Sequence, residues 1–254
     1  MAALAIYTSL VFHHRIEWVG IGALFILVWQ IFTLDRYIVH PEDQRETGLD
    51  LNNARFVRHH RHVFLAGMIG SAILLMILCL IKPHLFWGCL FAVLSSLLYI
   101  FPFPLLKRRI KQISYLKSFY VPFVLVTSLM FFTQSFSRSL NEALVPLLLY
   151  LLCVLNVSLF DIKDVESDTI TGIKTFASRL GPTTLIWVQF SISFLLGMAL
   201  VIFGSTPPIL SLGITFLIYG PAALILLKIK SVKYLFTAID GMFIIVLVIY
   251  FFLV

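Results

Sequence analysis

The chain reads as an all-α integral membrane protein, a bundle of about nine transmembrane helices of which eight are clear and the first is short. Three observations predict this. Apolar residues make up 60% of the sequence and its mean hydropathy is +1.01, whereas soluble domains hold about 45–50% apolar residues. The apolar residues gather in runs near the length needed to cross a bilayer, about 20 residues each. The cations between the runs lie almost entirely on alternate turns, as expected of a chain threaded through a membrane with its basic loops inside.

In order, residues 1–12 are apolar but too short to span, so they form a half-buried stub or the remainder of a helix that starts upstream. His13, His14, Arg15 and Glu17 break the run. Trp18 to Phe32 is the next span, reaching toward Ile38, and residues 35–62 form a long polar loop. Val63 to Ile81 and Leu85 to Phe101 form a hairpin across Lys82-Pro83-His84. A basic segment, 105–118, leads into Phe119 to Phe136. Leu144 to Phe160 ends at an acidic stretch; Thr184 to Phe203, Ile209 to Leu227 and Tyr234 to Val254 complete the set.

Placing loop 35–62 in the cytoplasm and alternating leaves only Arg15, Lys82 and Arg138 of the 19 cations outside. The formal charge of +7 is thereby explained without a nucleic-acid partner. No basic n-region precedes the first apolar run, so no targeting peptide is expected. Cys79, Cys89 and Cys153 all sit in apolar runs and are odd in number, which implies no disulfide framework, although Cys79 and Cys89 could meet across a hairpin. No composition shift marks a soluble domain, and residues 1–254 read as one domain.

The acidic stretch organises the functional reading. It runs Asp161-Ile-Lys-Asp164-Val-Glu-Ser-Asp168, then Gly172, Lys174-Thr175 and Leu180-Gly181. On a helix Asp161, Asp164 and Asp168 would share one face. Like charges on one stripe repel, so the stripe calls for something cationic against it. Hard carboxylate oxygens suit Mg²⁺, which keeps waters and shares itself with substrate phosphates. A solvated acidic loop between two spans is the alternative.

The spacing of Asp161, Asp164, Asp168, Gly172, Thr175, Leu180 and Gly181 resembles the second aspartate motif of the UbiA family of intramembrane prenyltransferases. The family's first aspartate motif falls in loop 35–62. Here it is degenerate: with Asp35 as anchor, the middle aspartate position is Ile38 and the last is Glu42, beside Asp43, and Pro41 breaks the helix that would align them. Tyr99, Pro102, Lys107 and Arg108 resemble the family's segment after its fourth helix, and Lys117-Ser118-Phe119-Tyr120 the start of its fifth, with Ser118 where Asn is usual.

The resemblance implies a UbiA-like bundle that moves a prenyl group from a polyprenyl diphosphate to a lipophilic, usually aromatic, acceptor. Mg²⁺ would be held by Asp161, Asp164 and Asp168, with Asp35 and Asp43 as the remnant of a second site. Lys107, Arg108, Lys174, Arg36 and Tyr99 would hold the diphosphate. The protein would sit in a bacterial inner membrane with its active face in the cytoplasm. The degenerate first motif leaves a second reading open: a relative that binds an isoprenoid or a membrane partner without turnover. A CDP-alcohol phosphotransferase is disfavoured because its DxxDGxxAR pattern is absent, and a transporter because no repeat of halves stands out.

The other polar groups weigh less. His59, His60 and His62 lie on neighbouring positions and lack the spacing of a metal set. Asp240 falls inside the last span and faces a cavity or pairs with Lys233. Asn156, five residues before Asp161, is expected to line that same cavity, or to make an interhelical hydrogen bond. The 24 Phe residues offer a lining for an isoprenoid tail.

Overall fold

A computed structural model describes residues 2–37, 56, 59–102, 110, 113–136, 139–162, 165, 168–169, 173–226 and 232–254, without the side chains of 35–37, 140–141, 226 and 232–242. The described residues form helices and turns and no strand. The helices are α1 (Ala2–His13), α2 (Trp18–Tyr37), α3 (Arg61–Ile81), α4 (His84–Ile100), α5 (Leu116–Thr133), α6 (Leu140–Phe160), α7 (Phe176–Leu180), α8 (Pro182–Phe203), α9 (Pro207–Leu226) and α10 (Val232–Leu253).

Among the described residues, α3, α5, α6, α8 and α9 are long and apolar enough to cross a membrane, while α1, α2, α4 and α10 contribute shorter apolar stretches. The sequence reading expected eight clear spans; α2 and α10 are 20 and 22 residues long, with side chains described only over Trp18–Leu34 and Phe243–Leu253. Helix α4 stops at 17 residues because Phe101 turns to extended backbone before Pro102, and a residue preceding proline is pushed out of the α region. At roughly 1.5 Å per residue it is ~25 Å long. Helix α1 is no loose stub. Leu4, Ala5 and Tyr7 are fully buried, and the helix packs on α10, α5 and α2. Its Tyr7 hydroxyl donates to the Pro208 carbonyl of α9 at 2.9 Å, and its ring meets Tyr250 of α10 edge-on. The first and last helices are thus neighbours.

Between water-free helices, close backbone approach replaces the hydrophobic drive that works in water. Helices α8 and α9 make the most intimate pair. A Cβ on Gly197 would fall 2.8 Å from the Leu217 nitrogen and 2.9 Å from the Gly213 carbonyl oxygen. Gly20 does the same for α2 against α5, with the Phe132 carbonyl where a Cβ would go. At the other extreme, Leu75 is the one buried residue of α3. Leu80 and Met76 expose 77% and 60% of their surface, and among the described residues α3 packs chiefly on α2 and α4. It is the lipid-facing flank of the bundle.

Turns fix which ends lie together. Lys82, between α3 and α4, donates to Glu17, between α1 and α2, at 3.0 Å, and His13 at the end of α1 meets the Gln134 carbonyl at the end of α5. These turns share one end, as the alternating topology requires. The start of α5, the end of α6 and α7 share the opposite end.

Candidate functional site at the start of α5

The polar end of the bundle is built around the first two turns of α5. Tyr115 precedes the helix in left-handed backbone, φ 63°, a conformation that costs a non-glycine residue about 1–3 kcal/mol. Three contacts hold it there. Its N–H donates to the Lys174 carbonyl at 2.8 Å. Its hydroxyl accepts from Arg179 at 2.9 Å, and its ring packs on Phe176 at 5.2 Å. Phe119, one turn on, also packs on Phe176. The segment 173–180 is therefore pinned to the head of α5. That segment keeps its own shape by a capping box, with Thr175 Oγ1 accepting from Ser178 N–H and Ser178 Oγ from Thr175 N–H, which satisfies two donors left bare at a helix start.

Helix α6 enters from the far end with Ser139 as its N-cap and delivers Asp161 to this junction. The helix stops at Phe160, and Asp161 with Ile162 forms the turn that follows. Asp161 keeps α-region backbone as the C-cap; Asp164 lies outside the described residues, and Asp168 is again helical. Asp161 is buried to 1% exposure. Its Oδ2 accepts a hydrogen bond from Ser118 Oγ at 2.8 Å, and its Oδ1 lies 3.0 Å from Lys117 Nζ. The latter is an ion pair by distance without hydrogen-bond alignment, for Oδ1 accepts no hydrogen bond. A bare buried carboxylate is costly; Lys117 and Ser118, successive residues of α5, remove most of that cost.

Asp168 is also buried, and its carbonyl accepts from Ile173 N–H at 2.8 Å, closing the loop back toward Lys174. Lys174 has an exposed side chain, and its carbonyl ties the loop to Tyr115. Tyr99, in the last turn of α4, stacks on Tyr120 of α5 with the rings 5° from parallel. Asn156, on α6 some 7–8 Å of helix rise before Asp161, is 2% exposed, and neither amide atom has a hydrogen-bond partner. Asp164, Asp43, Lys107 and Arg108 lie outside the described residues, as do the side chains of Asp35, Arg36, Lys233 and Asp240.

So the structure joins Asp161, Lys174 and Tyr99 through contacts to α5. Ser118, Tyr115 and Arg179 were missed as site residues by sequence reasoning, and Lys117 as the partner of Asp161. Lys117 and Ser118 carried a signal in their place at the head of the fifth span, but nothing local points from them to Asp161, 43 residues on from Ser118.

The histidines near α3 are exposed at its start, and no group of three or more metal-ligating side chains occurs among the described residues. Cys79 and Cys89 do meet across the α3–α4 hairpin, with sulfurs 3.8 Å apart, as free thiols.

A buried carboxylate at a helix end in a membrane bundle, with a lysine against it, is a place for polyanion and cation chemistry. The sequence model of the UbiA prenyltransferase family matches residues 55–240 of the 254. The chain belongs to the UbiA prenyltransferase family. The match covers α3 through α9 and the first nine residues of α10, and includes Asp161 and Asp168; it begins after Asp35 and Asp43. The chain is an integral membrane protein of that family. No curated protein and no solved structure matches it.

This family generally uses Mg²⁺, and Asp161 supplies one oxygen of the kind that ion takes. A carboxylate offers hard oxygens, and Oδ1 is the atom that accepts no hydrogen bond.

Proposed function

We propose that the protein transfers a prenyl group from a polyprenyl diphosphate to a lipophilic, aromatic acceptor, at the end of the bundle formed by α5, α6 and α7. The observation that carries this reading is Asp161. It is a carboxylate buried in a membrane bundle and held by two neighbours on α5, in a chain of the UbiA family. Charges of this kind are costly in membranes and are kept for function.

In this reading Asp161, Asp164 and Asp168 hold Mg²⁺, and Asp35 with Asp43 supplies what remains of a second site. The metal, when bound, offsets charge on the departing diphosphate. Lys107, Arg108, Lys174, Arg36 and Lys117 donate to its oxygens, and charge-assisted bonds of this kind are the strong ones. Tyr99, stacked on Tyr120, walls the site beside the allylic carbon. Ser118 fixes the rotamer of Asp161 through Oδ2. Asn156, with both amide atoms lacking a protein partner, is placed to meet the polar group of the acceptor. The active face is cytoplasmic, where the basic loops gather, in a bacterial inner membrane.

The test is Mg²⁺-dependent release of diphosphate from allylic diphosphates of increasing chain length by the protein in lipid, with a lipid extract as acceptor source. Release falling at least roughly 100-fold in Asp161→Ala is expected. Absence of release at every chain length, with tight diphosphate binding retained, would favour the second reading. That reading is an isoprenoid-binding protein without turnover, and the charge balance of Asp161 against Lys117 within the protein itself favours it.

A further inference from the structure

We infer that Lys117 is a resident counter-ion which occupies the cation position at Asp161 and makes metal binding conditional on the diphosphate. This rests on the prenyltransferase reading of the same site. Asp161 is 1% exposed and cannot be left without a positive partner. Lys117 supplies that partner at 3.0 Å. The two carboxylate oxygens are used differently: Oδ2 takes a hydrogen bond from Ser118, while Oδ1 is compensated by charge alone. Oδ1 is therefore the oxygen with coordination capacity to spare, and the ammonium is what stands in the way of a second cation there. An ammonium and a divalent ion on one oxygen repel strongly in a site that water does not screen.

The arrangement also supplies an exit for the ammonium. The Lys117 side chain is 21% exposed against 1% for Asp161, and it stands in the first turn of α5 on a four-carbon stem. Long cationic side chains reach outward from such positions. A diphosphate arriving at the mouth draws the ammonium outward and leaves Oδ1 to the metal. The carboxylate keeps a cation throughout. Metal and diphosphate then favour each other's binding by the same factor, as linkage requires. Toward the metal Lys117 acts through Asp161, as a positioning residue, while its ammonium meets the diphosphate directly.

The experiment measures binding of Mn²⁺, as a magnetic probe for Mg²⁺, and of inorganic pyrophosphate to the full chain in lipid nanodiscs. Each ligand is titrated alone and in the presence of the other, for wild type, Lys117→Met and Lys117→Arg. In wild type each ligand tightens the other at least roughly tenfold. In Lys117→Met the metal alone binds at least roughly tenfold tighter than to wild type, and the mutual tightening shrinks; Lys117→Arg keeps the wild-type pattern. Lys117→Gln, which retains a donor for the buried carboxylate, gives the same answer if Lys117→Met does not fold. Metal binding to the neutral variants that is no tighter than to wild type, with mutual tightening intact in wild type, overturns the inference and leaves the prenyltransferase reading standing. Wild type that binds neither ligand overturns both.

Discussion

Two acid–lysine pairs sit at opposite ends of this bundle at the same distance, 3.0 Å: Glu17–Lys82 and Asp161–Lys117. Their surroundings differ. The Glu17 and Lys82 side chains are 20% and 34% exposed, and Arg15 also reaches Glu17 at 3.3 Å. Asp161 is 1% exposed. The first pair is a clasp between two turns, with both side chains partly open to solvent. The second is a buried acid whose charge must be answered inside the protein. Distance alone does not rank them; burial does, because removing a partner in water costs little and removing it in the interior strands a charge.

The largest expected effect breaks the inner pair. Lys117→Met should lower stability by about 3–5 kcal/mol in metal-free buffer, because Asp161 has no route to water. Denaturant unfolding in micelles reads this, and a loss under 1 kcal/mol would mean that Asp161 finds another cation or is not charged. Ser118→Ala comes next. It removes the hydrogen bond to Oδ2 and should cost about 1.5–3 kcal/mol, the range for a bond to a charged group. Glu17→Gln, at the outer pair, should cost no more than about 1 kcal/mol. If the two ends gave equal losses, burial would not be the deciding variable.

The smallest effect is a pH dependence. The hydrogen bond from Lys82 holds the Glu17 carboxyl below its ordinary value of 4.5, with the charges of Lys82 and Arg15 adding to it. A depressed carboxyl contributes stability above its unfolded value and loses it as the pH falls through the folded one. The gap in melting temperature between wild type and Glu17→Gln should therefore be present at pH 7 and close well below pH 4.5. A gap that persists at pH 3 would assign it to packing rather than charge.

The comparison also bears on how much the sequence disclosed. Both ends were legible as ends. The loop cations separate them, and Lys82 and Glu17 fall in turns that alternate topology puts together. Within one segment, spacing converts directly to geometry through the helical repeat, and so the Asp161–Gly181 pattern was readable.

The amino-acid sequence by itself determined a helical membrane protein of the UbiA family, the polar end of its bundle and the acid at that end. These are properties of composition, period and motif, each carried by residues close in the chain. Only the tertiary structure decided that α1 is buried beside α10, that α3 is the lipid-facing flank, and that Lys117 and Ser118 share the two oxygens of Asp161. Those facts depend on which helix faces meet. In a chain apolar on nearly every face, the meeting is chosen by glycine contacts such as Gly197 with α9, by turn lengths, and by the need to give a buried carboxylate its partners. None of these is a property of any one stretch.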